Sequence, residues 1–282
     1  MRDENICIVG AGTMGWSIAQ TFVEAGFFVT LCDRELTFAE AGRRNIEKSL
    51  SRLVQKGRLG EKEAKEAYAR VSAGLIEDAK DCTFAVEAVF ENLEVKCDVL
   101  KKLESSLPAG AVFASNTSSL SITQLSNSLQ NPARFAGMHF FNPPTVMKLV
   151  EIIGGEHTDE ATIGRIADVT ERLGKVAVRV KEGPGFIVNR ILIPMINEAV
   201  GIYSEGLASR EDIDNAMKYG ANHPIGPLAL ADLVGLDICL AIMEVLHSET
   251  GDPKYRPHPY LKKMVRAGYL GKKSKKGFYK YE

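Results

Sequence analysis

The chain lacks an apolar run long enough for a transmembrane helix, which takes about 20 consecutive apolar residues, so a helical membrane span is excluded. Its first apolar stretch is short, carries Gly10 and Gly12 inside it and follows mixed charge, unlike a secretory leader. Cysteine is sparse as well. Cys7, Cys32, Cys82, Cys97 and Cys239 are odd in number and widely spaced, which fits neither a disulfide framework nor a zinc site. No metal is expected, and a reducing cytoplasm is the expected location. Charge of one sign is missing too: 35 Lys and Arg stand against 36 Asp and Glu, a formal net charge of -1. Nothing global then attracts nucleic acid or an anionic membrane, and neither is expected as a partner. There is no internal repeat and no low-complexity tract.

What is present is a chain of 282 residues, 45% hydrophobic, enough for a full core and about two domains. "NICIVG" is a short apolar run leading into "GAGTMG", after which Met14, Ile18, Ala19, Phe22 and Val23 recur at helical spacing. Gly26 closes that helix and "FFVTLCD" reads as a second buried strand ending at Asp33, which completes a βαβ unit. From about Thr37 to Ser72 the pattern is helical, charged and amphipathic, with a turn at "KGRLGEKEA", and reads as an inserted helical hairpin. Strand and helix then alternate through "FAVEAVFE", "NLEVKCDVLKKLESSL" and "AVFASNTSSL", and "RFAGMHFF", "KLVEIIGG" and "VAVRVK" extend the series. Such alternation predicts a parallel, doubly wound α/β sheet. Beyond "EGPGFIVNR" the strand signal ends and helical patterns follow, among them "ILIPMINEAVGIYSEG" and "GPLALADLVGLDICLAIMEVLHSET". The expected domains are residues 1-183, a Rossmann-type dinucleotide-binding sheet, and residues 184-282, all α.

Gly10, Gly12 and Gly15 form G-x-G-x-x-G between strand and helix, with Thr13 and Met14 inside it. Glycines there permit a tight turn, close approach of a pyrophosphate and tight helix packing. Asp33 lies about 20 residues on, where a carboxylate binds a ribose hydroxyl pair and repels a 2'-phosphate. NAD is the expected cofactor, and Arg34 leaves NADP open because an arginine just past that strand can accommodate the extra phosphate. Ligands of an open parallel sheet sit at the carboxyl ends of its strands, and topology places Glu91, Lys96, Asn116 and Ser118 there. On position alone, capping a helix or tightening a turn is the commoner use of residues such as Asn116 and Ser118.

"HFFNPPTVMKLVEII" sets His139 and Glu151 at equal distances from Thr145. If the chain reverses within "NPPTV", the two face each other across paired strands. Glu151 stands among Leu149, Val150, Ile152 and Ile153, where an inward carboxylate needs a partner. Histidine suits it, because the carboxylate fixes the tautomer and leaves the other ring nitrogen as a base. A structural pair, or a Glu151 facing solvent, is the plainer alternative. Asn189 and Arg190 break an apolar face just past Gly185, and Asn189 is placed to reach a cleft or to make a helix-end hydrogen bond. Arg44, Lys48, Arg52 and Lys56 recur at i, i+4 spacing with Ser49 beside them, a solvated face or a seat for a phosphate-bearing substrate. Lys272, Lys273, Lys275 and Lys276 read as a solvated tail segment.

Along nearly its whole length the chain resembles the L-3-hydroxyacyl-CoA dehydrogenases, especially the short bacterial 3-hydroxybutyryl-CoA dehydrogenases. The stretches behind the resemblance are "IVGAGTMGWSIAQ", "EAVFENLEVK", "SNTSSLSI", "HFFNPPTVMKLVEII", "GPGFIVNRIL", "PIGPLALADLVGLD" and "GKKSKKGFY". The resemblance implies His139 and Glu151 as the catalytic pair, Ser118 as the serine on the substrate hydroxyl and Asn189 as a substrate-binding residue. It also implies Asp33, Glu91, Lys96, Asn116 and Asn142 along the cofactor, Ser49 and Lys56 on coenzyme A, an acyl-CoA substrate and a homodimer. Trp16 and Arg34 depart from the family pattern. The apolar "LADLVGLDICLAIMEVL" is an expected dimer surface, and a stand-alone dehydrogenase without a hydratase domain is expected. Two rivals are a sugar-acid dehydrogenase, which has no use for a basic hairpin, and a nucleotide-binding structural protein without turnover.

Overall fold

A computed structural model describes residues 4–282. The chain divides into two compact units, one running through Glu182 and one beginning at Gly183.

The first unit is an eight-stranded sheet in the order β3-β2-β1-β4-β5-β6-β7-β8. Its strands are β1 (Asn5–Val9), β2 (Phe28–Cys32), β3 (Val71–Gly74), β4 (Phe84–Glu87), β5 (Val112–Ser115), β6 (Phe135–Phe140), β7 (Leu149–Gly154) and β8 (Val176–Lys181). Adjacent strands are parallel except β6 and β7, which are antiparallel. The helices are α1 (Thr13–Glu24), α2 (Leu36–Gln55), α3 (Glu61–Ala69), α4 (Leu93–Ser106), α5 (Ile122–Ser126) and α6 (Glu160–Arg172). Ile6, Ile8, Phe22, Leu31, Phe84, Val86, Met138 and Ile152 meet in one core. Each such side chain stabilises the fold by about 1.5–3 kcal/mol when fully buried. The central strands read as continuous apolar runs because helices cover both faces of the sheet.

The helical hairpin is α2 and α3, and it ends sooner than the sequence pattern suggests. Residues 71–74, "VSAG", leave the hairpin to form the edge strand β3, paired with β2. Four residues with little apolar content show no alternation of their own; the pairing with β2 decides their conformation.

The second unit contains α7 (Val188–Ser204), α8 (Arg210–Asn215), α9 (Pro227–Val234), α10 (Leu236–Thr250) and α11 (Pro259–Arg266). The apolar run expected to offer a dimer surface is broken at Gly235, whose φ of 106° lies in the region that favours glycine. Leu228, Ala231, Leu236, Cys239, Ile242, Met243 and Leu246 are consumed in the unit's own core, while Leu233 and Ile238 stay exposed. In the C-terminal segment Lys272, Lys273 and Lys275 are exposed, as a solvated segment requires, but its backbone is anchored. Asp232 accepts from the backbone N–H of Phe278 and Tyr279 and from the Tyr281 hydroxyl, and Lys276 lies 3.7 Å over the Tyr269 ring. A buried carboxylate with these donors ties the segment down.

Candidate active site

The glycine loop is built by contact. Gly10 has φ 98°, and a Cβ there would stand 2.6 Å from the Ala88 carbonyl oxygen, so the backbone just past β4 excludes a side chain. A Cβ on Gly15 would come within 1.6 Å of the Gly10 oxygen, so this glycine lets α1 sit against β1. Gly12 differs: a Cβ would meet nothing within 4 Å. It caps α1, and as a glycine it offers no side-chain hydrogen bond to the helix's first N–H groups. Those unsatisfied donors and the helix dipole suit an anion, so the loop fits a dinucleotide's pyrophosphate, with Thr13 exposed and Met14 half-buried beside it. Asp33 accepts from the Ala11 N–H at 2.7 Å and from the Arg34 N–H at 2.8 Å. A carboxylate has about four acceptor positions, so capacity for ribose hydroxyls remains. Arg34 is exposed, with its guanidinium 5.0 Å over the Phe38 ring.

At the carboxyl ends of β4 and β5 lies a polar network. Lys96 is 1% exposed, and its Nζ reaches Glu87 Oε1 at 2.8 Å, Glu87 Oε2 at 3.1 Å and Glu91 Oε2 at 3.3 Å. Glu91 Oε1 accepts from the Thr117 hydroxyl at 2.5 Å, the Ser118 N–H at 2.8 Å and the Ser118 hydroxyl at 3.3 Å. Burial pushes the Glu91 carboxyl up, but the Lys96 charge and these donors outweigh it and hold the group below its usual range. Asn116 Oδ1 accepts from the Phe140 N–H at 2.8 Å and so joins the loop after β5 to β6. The sequence reading passed over Glu87, Ser115 and Thr117. The signal was available: Glu87 stands inside the apolar "FAVEAV" as Glu151 stands inside "KLVEII".

One residue before Phe140 lies His139. The chain reverses after β6 and pairs His139 with Glu151 in register, with Nδ1 2.8 Å from Oε2. The imidazole is 6% exposed and the carboxylate 0%. An ionised Glu151 keeps the proton on Nδ1, which makes Nε2 the basic nitrogen. Glu151 lies within the sheet beside Val178 of β8, and a solvent-facing carboxylate is ruled out. The connecting turn is held from outside, since Lys175 donates to the carbonyls of Pro144 at 2.5 Å and Met147 at 2.7 Å. Asn142, exposed, begins that turn.

The structure thus gathers Gly10, Gly12, Gly15, Asp33, Glu91, Lys96, Asn116, Ser118, His139 and Glu151 around one end of the first unit's sheet. Ser49 and Lys56 stand apart, on α2 and at its C-terminal cap, with Arg44, Lys48 and Arg52 exposed along the same helix. Asn189, buried, is the second residue of α7 and belongs to the second unit.

Comparison with known proteins gives matches along nearly the whole chain. The profile of the 3-hydroxyacyl-CoA dehydrogenase NAD-binding domain matches residues 5–183, and that of the family's C-terminal domain matches residues 185–281. A probable 3-hydroxybutyryl-CoA dehydrogenase of Bacillus subtilis is 49% identical, over 100% of this chain and 99% of its own. A 3-hydroxybutyryl-CoA dehydrogenase of Clostridioides difficile is also 49% identical, over 98% and 99%. The crystal structure of the (S)-3-hydroxybutyryl-CoA dehydrogenase of Ralstonia eutropha superposes with a TM-score of 0.95 at 46% identity, covering 99% of each chain. With both domain profiles matched in order along the chain and relatives 49% identical over nearly their full length, the chain belongs to the 3-hydroxyacyl-CoA dehydrogenase family.

Proposed function

We propose that this protein interconverts (S)-3-hydroxybutyryl-CoA and acetoacetyl-CoA with NAD. The observation behind the reading is the buried His139–Glu151 pair at 2.8 Å, on the same sheet end as a dinucleotide loop. Alcohol oxidation needs a proton acceptor beside the hydride acceptor. NAD, when bound, supplies the hydride acceptor, and its reduced form the donor.

The residues divide the remaining work. Gly10, Gly12, Thr13, Met14 and Gly15 receive the pyrophosphate and Asp33 a ribose, while Glu91, Lys96, Asn116 and Asn142 line the rest of the cofactor. His139 takes the 3-hydroxyl proton at Nε2, and Glu151 stabilises the resulting imidazolium. General-base help of this kind is typically worth about 10²- to 10⁴-fold. The Ser118 hydroxyl and Asn189 hold the substrate oxygen and acyl end, which limits the orientations the reacting carbon samples. Ser49 and Lys56 contact coenzyme A, and the exposed Lys48 and Arg52 add positive charge on the same helix. Full-length similarity to named 3-hydroxybutyryl-CoA dehydrogenases supports this reading over a sugar-acid dehydrogenase or a protein without turnover. Cytoplasmic location is part of the proposal, supported by five unpaired cysteines. So is a homodimer, supported by Ile191, Leu207, Leu233 and Ile238, apolar and exposed on the second unit. Among the described residues, no helix is long and apolar enough to cross a membrane.

The test is loss of nicotinamide absorbance when the purified chain meets acetoacetyl-CoA with NADH or with NADPH. Rapid oxidation of NADH with slower use of NADPH is expected. No oxidation of either, while NADH still binds, overturns the proposal.

A further inference from the structure

Glu87 is the last residue of β4, the strand beside β1 where the sheet order departs from chain order. Ligands of open α/β sheets sit at such a switch point, yet Glu87 is 0% exposed and cannot itself present a charge to a ligand. Every described bond of its carboxylate is internal. Oε1 accepts from the Val89 N–H at 2.7 Å and from Lys96 at 2.8 Å; Oε2 accepts from the Ser115 hydroxyl at 2.5 Å and from Lys96 at 3.1 Å.

Two arms leave this carboxylate and meet again. One runs through the Lys96 ammonium to Glu91 Oε2, and Glu91 Oε1 receives the Ser118 N–H and hydroxyl. The other runs through the Ser115 hydroxyl, which accepts the Thr117 N–H at 3.2 Å, while the Thr117 hydroxyl donates to the same Glu91 oxygen. Both arms end on the loop that carries Ser118. Lys96 lies almost wholly out of water, where an ammonium persists only with compensating charge at short range. Glu87 supplies that charge at the closest distance, and Glu91 supplies less of it from further away.

We infer that Glu87 is a positioning residue for the reaction, holding Lys96 and Ser115 so that Glu91 and the Ser118 hydroxyl keep the orientation that turnover requires. The inference rests on the proposed dehydrogenase activity. Glu87 touches neither substrate nor cofactor, and its effect passes through groups that do. With its charge removed, Lys96 turns wholly to Glu91 and draws that carboxylate from the Ser118 loop.

The test is Glu87→Gln and Ser115→Ala beside the unaltered chain, each assayed for kcat and KM with acetoacetyl-CoA and NADH, for NADH affinity and for thermal stability. Misplacing a reacting group by about 1 Å costs on the order of 10²-fold. Glu87→Gln is expected to lower kcat by about 10- to 100-fold, with NADH affinity weakened by a smaller factor because Lys96 and Glu91 also line the cofactor. Ser115→Ala, which severs one arm without changing charge, is expected to lower kcat by about three- to ten-fold with its melting temperature little moved. A folded Glu87→Gln protein with full kcat overturns the inference. If Glu87→Gln does not fold, Ser115→Ala decides alone: reduced kcat with KM and NADH affinity retained supports the inference, and full kcat overturns it. Failure of the unaltered chain to reduce acetoacetyl-CoA counts against the dehydrogenase reading itself.

Discussion

Replacing Glu151 by glutamine keeps side-chain volume and a hydrogen-bonding oxygen while removing one buried charge. In the folded protein Nδ1 and Oε2 are 2.8 Å apart and both groups are buried. The charge centres of such a pair lie about 4 Å apart, and at an effective dielectric constant near 20 the attraction is about 4 kcal/mol. That energy is absent when the imidazole is neutral and present once it accepts the substrate proton, so it lowers the barrier rather than tightening binding. At about 1.4 kcal/mol per factor of ten, the ceiling is about 10³-fold in kcat. The amide keeps part of the interaction, so the expected loss for Glu151→Gln is about 10- to 10³-fold, milder than for His139→Ala, where about 10²- to 10⁴-fold is expected. Single-turnover reduction of acetoacetyl-CoA by NADH, followed by nicotinamide absorbance, isolates this step from product release. NADH affinity, measured separately, should not change. A folded Glu151→Gln protein with unaltered turnover refutes the reasoning, and one that cannot fold shows the pair to be structural.

Two further results are expected. Gly12→Ala should leave stability within about 0.5 kcal/mol, since the new methyl meets no neighbour, yet weaken NADH binding; Gly15→Ala, driven into the Gly10 carbonyl, should destabilise by about 1–3 kcal/mol. Equal melting temperatures for the two would contradict the loop geometry. Glu91 is held below its ordinary value of 4.5 in the folded state, so its contribution to stability is present above about pH 4.5 and is lost as pH falls through the lowered value. Thermal melts across acid pH should therefore show a steeper loss for the unaltered chain than for Glu91→Gln; parallel curves would sink this assignment.

The His–Glu pairing was legible from twelve positions of sequence because strand alternation and a proline-rich reversal leave one register that buries both side chains. The glycine loop was legible for a similar reason, since Gly10 and Gly15 each answer a local contact. What escaped depends on contacts far along the chain. "VSAG" becomes a strand only because β2 offers an edge. The segment that carries the C-terminal lysines looks loose until Asp232, more than forty positions earlier, takes the backbone of Phe278 and Tyr279. Glu87 was missed because the sequence places Lys96 near the strand ends without naming its partner, and only the structure shows the ammonium turned inward onto Glu87.

The antiparallel turn between β6 and β7 also separates two histories within one site. His139 and Glu151 meet across a loop of a dozen residues, whereas the crevice between β1 and β4 requires Ile6 to find Phe84 beyond the whole helical hairpin. Loop closure becomes entropically dearer with length, and contacts between distant residues form later than local ones. The acid–base partners can therefore assemble in a partly folded chain that has no place yet for a nucleotide. A mutation in the hairpin of helices delays the cofactor site without touching the proton-transfer pair, so the two halves of the site can change independently.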